Sequence, residues 1–186
     1  MIFSRCAPSP ASSVLRFPPL ALLPGLTGLS NFGKVNDFLY RGSQPNAKGI
    51  EQRKKTWNHQ HRGSSWRTTG HGDHGAQALG IRFLNIRASG WSPPKDAELV
   101  QFFLLVQQRP REKIYVHCWP GDDRTGVFLA AYRTAFENWT PGRAIQEMYF
   151  FRFKGFWHPS MKTYIRNFPA HFAQSPAFAP FRARSS

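Results

Sequence analysis

A cysteine and an arginine can attack and hold a phosphate together when the short backbone between them curls into a cup. This chain has such a pair in Cys118 and Arg124, set within His117-Cys118-Trp119-Pro120-Gly121-Asp122-Asp123-Arg124-Thr125-Gly126. The residues between them, Trp119, Pro120, Gly121, Asp122 and Asp123, can turn backbone N–H groups toward one anion. A helix starting just beyond would add its N-terminal field. The same field favours a thiolate, so Cys118 is expected to be the nucleophile. Arg124 carries a planar fork that matches two phosphate oxygens. The chemistry implied is attack on a phosphate monoester, with no metal and no cofactor required.

The flanking segments can position this loop. Lys113-Ile114-Tyr115-Val116 reads as a short buried strand, and Val127-Phe128-Leu129-Ala130-Ala131-Tyr132 as the apolar side of a helix. The cysteine therefore leaves a strand and the arginine enters a helix.

The spacing His-Cys-x5-Arg-Thr-Gly resembles the signature of cysteine-dependent tyrosine and dual-specificity phosphatases, and the flanks resemble a bacterial branch of that family. Asn31-Phe32-Gly33-Lys34-Val35 and Leu39-Tyr40-Arg41-Gly42-Ser43-Gln44-Pro45 are similar to its opening segment. Ala131-Tyr132-Arg133 and Trp139-Thr140 are similar to its later ones. The resemblance spans residues 31–175 and implies an α/β fold, a small, mostly parallel central sheet flanked by helices. It also implies that the Thr125 hydroxyl stabilises the thiolate. His117 would orient the loop through its ring or be purely structural, two readings that stay open.

A leaving alkoxide needs a proton, and its source is less legible. Relatives often carry an acidic residue about thirty residues before the cysteine. Here that stretch is Ala88-Ser89-Gly90-Trp91-Ser92-Pro93-Pro94, with no carboxylate. Asp96 is nearby but reads as a helix N-terminal charge. Asp123 resembles the acid in the Cys-x4-Asp-Arg loop of some lipid phosphatases, and is the preferred candidate. Its alternative is an ion pair that holds the loop's shape.

Between Thr56 and Gly75 periodicity fails. Four of the seven histidines, His59, His61, His71 and His74, crowd there without a convincing metal-site pattern. The family resemblance implies a helix end and then a core strand ending in Leu-Arg. Reading the codons of 57–66 one base late forces glycine at both Trp codons and permits a β-branched run with Leu-Arg between them. The interval is therefore expected to be translated out of frame, the alternative being a real basic, His-rich insertion. The chain as written is expected to lack the strand and either to be less stable than its relatives or to carry 56–75 as a disordered loop.

The remaining elements are conventional. Phe38 to Arg41 reads as a strand, and Asn46 caps a helix running toward Lys55. Ile81 to Ile86 alternates as a strand. Helices are expected after Ser92-Pro93-Pro94, with Leu99, Phe102, Phe103 and Val106 on the apolar side, and after Thr140-Pro141. A last helix is expected from Pro159 toward Asn167, carrying Met161, Tyr164, Ile165 and Phe168. Residues 176–186 read as a loose tail. Residues 1–30 read as a leader, either disordered or a poor export signal, since Arg5 and Arg16 precede a Leu-rich patch broken by prolines. Nothing is long enough to span a membrane. Location, cytoplasmic or exported, stays open.

The 186 residues, 41% of them hydrophobic, suit one domain with a full core. Two cysteines exclude a disulfide framework. The net charge of +15 favours anionic partners, but no dense basic run with interleaved aromatics points to nucleic acid. Three functions compete: a dual-specificity-type protein phosphatase, a phosphoinositide or inositol-phosphate phosphatase, and an inactive phosphate-binding relative.

Overall fold

A computed structural model describes residues 28, 30–46, 66–69, 82–108 and 113–182. For 66–69, 82, 83 and 108 only the backbone is described. Five strands form one sheet: β1 (Gly33–Lys34), β2 (Leu39–Ser43), β3 (Trp66–Thr69), β4 (Arg82–Leu84) and β5 (Lys113–Cys118). Their spatial order is β1-β2-β5-β3-β4, with β1 antiparallel to β2 and the other pairs parallel. Helices α1 (Asp96–Gln108), α2 (Asp123–Phe136), α3 (Pro141–Phe150), α4 (Pro159–Gln174) and α5 (Ala179–Arg182) supply the rest.

β5 lies at the centre because its residues serve both faces. Ile114 and Val116, with Leu39 of β2, enter the main core against the helices. Tyr115 points the other way and joins Phe32 and Tyr40 in a smaller aromatic cluster. This is the two-residue alternation of a strand buried on both sides. The parallel register sets Ser43 opposite Cys118, so β2 fixes the height at which the cysteine leaves the sheet.

β3 corrects the expectation that 56–75 lacks a strand and is a disordered loop throughout. The chain as written supplies a strand there, paired through Arg67 to Ile114 on one side and to Arg82 on the other. The physical cause is that the exposed edge of β5 would otherwise leave a row of N–H and C=O groups unmatched. Tryptophan and threonine tolerate the extended backbone well. Four residues are too few to show a period, which is why pattern reading missed them. Residues 56–65 and 70–75, with the expected helix after Asn46, lie outside the described residues.

α1 buries Leu99, Phe102, Phe103 and Val106, as its spacing requires. α3 starts at the expected cap, where Thr140 Oγ1 accepts from the Arg143 amide at 3.3 Å. α2 and α3 are cross-linked by a buried pair, Arg133 Nη2 to Glu147 Oε1 at 2.7 Å and Nε to Oε2 at 3.2 Å. Gly126 lets the two helices approach: a Cβ there would already touch the Met148 side chain at 3.5 Å.

α4 runs past the expected end near Asn167, through Pro169 to Gln174. The added two turns let Phe172 join Phe168 on the ring of Phe103. The tail reading fails for residues 176–182. A 3-10 turn, Pro176–Phe178, and α5 fold back and bury Phe178 and Phe181 against Phe103. Arg182 Nη1 donates to the Phe172 and Ser175 carbonyls at 2.7 and 2.9 Å, closing the end of α4. Asp96, at the start of α1, receives His171 Nε2 and Ser175 Oγ, both at 2.7 Å.

Candidate active site

The cup is built where β5 ends and α2 begins. Cys118 is the last residue of β5, buried and free of any disulfide. Arg124 sits in the first turn of α2, beside Thr125, whose hydroxyl is buried without a hydrogen-bond partner among the described residues. His117 is buried with its ring 5.5 Å from that of Tyr115. The strand–loop–helix arrangement thus holds every residue singled out in the motif.

The loop's carbonyls are tied outward. Trp119 O accepts from the Gln44 amide at 3.2 Å. Gly121 O accepts from Asn31 Nδ2 at 2.9 Å and from Arg41 Nη2 at 3.1 Å. In a trans peptide the N–H points opposite to the C=O, so pinning the Gly121 carbonyl from below aims the Asp122 amide into the cup. Two of the loop's five positions do not donate to the cup. Pro120 has no N–H, and the Asp123 amide is taken by Asp122 Oδ1 at 2.6 Å. Gly121 itself is obligatory. Its φ is +76°, and a Cβ would lie 2.2 Å from the backbone of Gly42.

Arg41 and Asn31 both hold the loop through the Gly121 carbonyl, and pattern reading quoted them without giving them a role. Arg41 is wholly buried, its guanidinium 3.9 Å from the Phe151 ring centre, and its Nε and Nη1 have no hydrogen-bond partner among the described residues. Burial pulls its pKa down to about 10, opposed by the charges of Glu147 and Cys118. It is therefore still a cation at neutral pH, beneath the cup. The signal in the sequence was an arginine inside a strand buried on both sides, where an unpaired charge is costly without a purpose.

Asp123 faces the turn that follows α3. Its Oδ1 accepts from the Lys154 amide at 2.8 Å, and its Oδ2 is 3.3 Å from His158 Nε2. Burial pushes the Asp123 carboxyl above its ordinary value; the Asp122 carboxylate pushes the same way, while the Lys154 amide, His158 and the Lys154 charge oppose. Asp122 is bridged to Lys154 Nζ at 3.2 Å. Asp96 is committed to His171 and Ser175 instead. In the loop where relatives often place an acid, Ser89 Oγ caps a turn by accepting from the Trp91 and Ser92 amides, both at 3.1 Å. Trp91 then lies against His158, ring centres 5.1 Å apart. His158 was not picked out from sequence; nothing marks its link to Asp123, which crosses thirty-five positions of chain. His59, His61, His71 and His74 lie outside the described residues.

A family model for the tyrosine phosphatase family matches residues 26–182. The chain belongs to this family. Dual specificity protein phosphatase TpbA of Pseudomonas aeruginosa is 37% identical over 54 residues, which cover 28% of this chain and 25% of that relative. The matched segment thus spans about a quarter of the curated relative's length. The crystal structure of TpbA in complex with phosphotyrosine superposes with a TM-score of 0.66 at 20% identity, covering 91% of this chain and 98% of the other. The catalytic core of the PP-IP phosphatase Siw14 from S. cerevisiae gives 0.63 at 18% identity, covering 84% and 98%. PTPMT1 in complex with PI(5)P gives 0.57 at 19%, covering 76% and 96%. These likenesses are of fold, and the fold is the phosphatase one.

Proposed function

We propose that this protein hydrolyses phosphate monoesters of the dual-specificity type through a cysteinyl-phosphate. The observation that carries this reading is the Gly121 carbonyl, held from below by Asn31 and Arg41, which keeps the loop concave between Cys118 and Arg124. Cys118 Sγ attacks phosphorus in line; the S–P bond forms as the P–O bond to the leaving group breaks. Arg124 and the loop amides hold the equatorial oxygens, and the Thr125 hydroxyl donates to the thiolate that is regenerated. The leaving oxygen takes the proton of Asp123, whose acid form is favoured by its burial. Water then attacks phosphorus, giving a proton back to the Asp123 carboxylate as the S–P bond breaks and phosphate and the Cys118 thiolate are released.

The substrate is a phosphorylated protein on this reading. A phosphoinositide or inositol phosphate is the second, favoured by Asp123 directly before Arg124 and by relatives of that substrate class. The binding-only alternative arose from a sheet expected to lack a strand, and β3 removes that motive.

The test is turnover of an aryl phosphate, followed by a panel of phosphotyrosyl peptide against phosphoinositide. Wild type is expected to release phosphate and, when quenched in acid, to carry one phosphoryl group on Cys118. Cys118→Ser is expected to do neither. Equal rates for wild type and Cys118→Ser would reduce the cup to a binding site.

A further inference from the structure

The turn that grips the catalytic loop also carries two of the most exposed aromatic side chains among the described residues. Its two ends are fixed. The Lys154 amide and His158 hold the two oxygens of Asp123, and Lys154 Nζ holds Asp122. Backbone bonds from Trp157 N and His158 N to Lys154 O, 2.9 and 3.2 Å, close the turn. Gly155 leaves room for the Tyr149 ring, which a Cβ at that position would meet below 3.0 Å and push aside. What remains, Phe156 and Trp157, is thrown outward, 88% and 65% exposed.

Two further exposed rings belong to the same rim. Trp119, 74% exposed, is part of the cup, and Trp91, 72% exposed, lies against His158. A tight turn that spends its apex on an exposed phenylalanine and tryptophan, rather than on polar residues, is built to bury them against something else.

Charge identifies what. From Met148 to Ser186 the sequence has no Asp or Glu, but it has Arg152, Lys154, Lys162, Arg166, Arg182 and Arg184. The carboxylates beneath the turn, Asp122 and Asp123, are buried and turned inward to Lys154 and His158. Large exposed rings in a segment whose other charges are all positive suit the headgroup layer of an anionic bilayer, where tryptophan and phenylalanine sink to the acyl boundary. Among the described residues no helix is long and apolar enough to cross a membrane.

We propose that the 154–158 turn is an interfacial wedge that seats the cup's mouth on an anionic lipid surface. The inference holds for any phosphate monoester the cup accepts, because binding to lipid is read without turnover.

The experiment is sedimentation of the full chain with phosphatidylcholine vesicles, pure or with about a third phosphatidylserine. Wild type is expected to partition to the anionic vesicles, with a blue shift of tryptophan emission, and to ignore the neutral ones. The double variant Phe156→Ser, Trp157→Ser is expected to lose roughly tenfold or more of this partition. Its turnover of a soluble aryl phosphate should stay within about twofold of wild type, since neither side chain enters the cup. Trp157→Phe, which preserves apolar area, should keep the partition and lose part of the emission shift. Equal partition to neutral and anionic vesicles would overturn the proposal, as would equal partition of wild type and the double variant. So would a double variant that fails only on a phosphotyrosyl peptide, because the wedge would then receive a polypeptide.

Discussion

Asp123 stands where two demands on one carboxyl meet. Its contacts to Lys154 and His158 are those of a residue holding the loop, while its burial is what a proton donor needs. The two roles separate by leaving group. Asp123→Asn should cut turnover of an alkyl phosphate by roughly a hundredfold or more, and of an aryl phosphate with a good leaving group far less. Equal losses on both would leave only the structural role. The pH profile carries the same information. A donor must be protonated, and this carboxyl lies above its ordinary value. Alkyl phosphate turnover should therefore fall as pH rises through that raised value, and the falling limb should vanish in Asp123→Asn. Arg41 acts from the other side of the loop. Arg41→Met keeps the Asn31 bond to Gly121 but removes a buried cation whose charge is felt at Cys118. Alkylation of Cys118 by iodoacetamide at neutral pH should slow by roughly tenfold, about 1.4 kcal/mol of lost interaction. An unchanged rate would mean that Arg41 only fills space.

The elements were legible in proportion to their length and contrast. α1 and α3 announce themselves through Pro-flanked starts and apolar spacing, and β5 through a continuous apolar run. The cup was legible because its residue types are fixed at fixed spacing. β3 was not, since pairing on both edges creates it rather than anything in its four residues. The contacts of Asp123 were equally hidden, because they depend on where a turn thirty residues downstream comes to rest. A proline is a direct test of β3. Thr68→Pro removes a donor from a strand with neighbours on both sides, costing about 3 kcal/mol, or roughly 6–12 °C in Tm. A variant melting as wild type does would take Trp66–Thr69 out of the sheet.

At the scale of the whole molecule, the phenylalanines from α4 to the end of the fold are core rather than ligand site. Phe103, Phe168, Phe172, Phe178 and Phe181 form one contiguous set of rings. The tail looked loose because Pro and Ala dominate it; two phenylalanines decide otherwise. Phe178→Ala should cost about 3–5 kcal/mol and lower Tm accordingly, while aryl phosphate turnover at low temperature persists, since the ring packs on α1 and not on the cup. Retention of the wild-type Tm would show that residues 176–182 contribute nothing to the core.

The strand order has a kinetic corollary. β2 and β3 are not neighbours; each pairs with β5, which is made later than both. As the chain leaves the ribosome, β2 and β3 must wait with open edges until residues 113–118 emerge and slot between them. Such distant pairings are slow to form. The last strand to be inserted is also the one that ends in Cys118, so completing the sheet and delivering the proposed nucleophile are a single event. Appearance of the cup's reactivity in a refolding reaction would therefore time the closure of the fold itself.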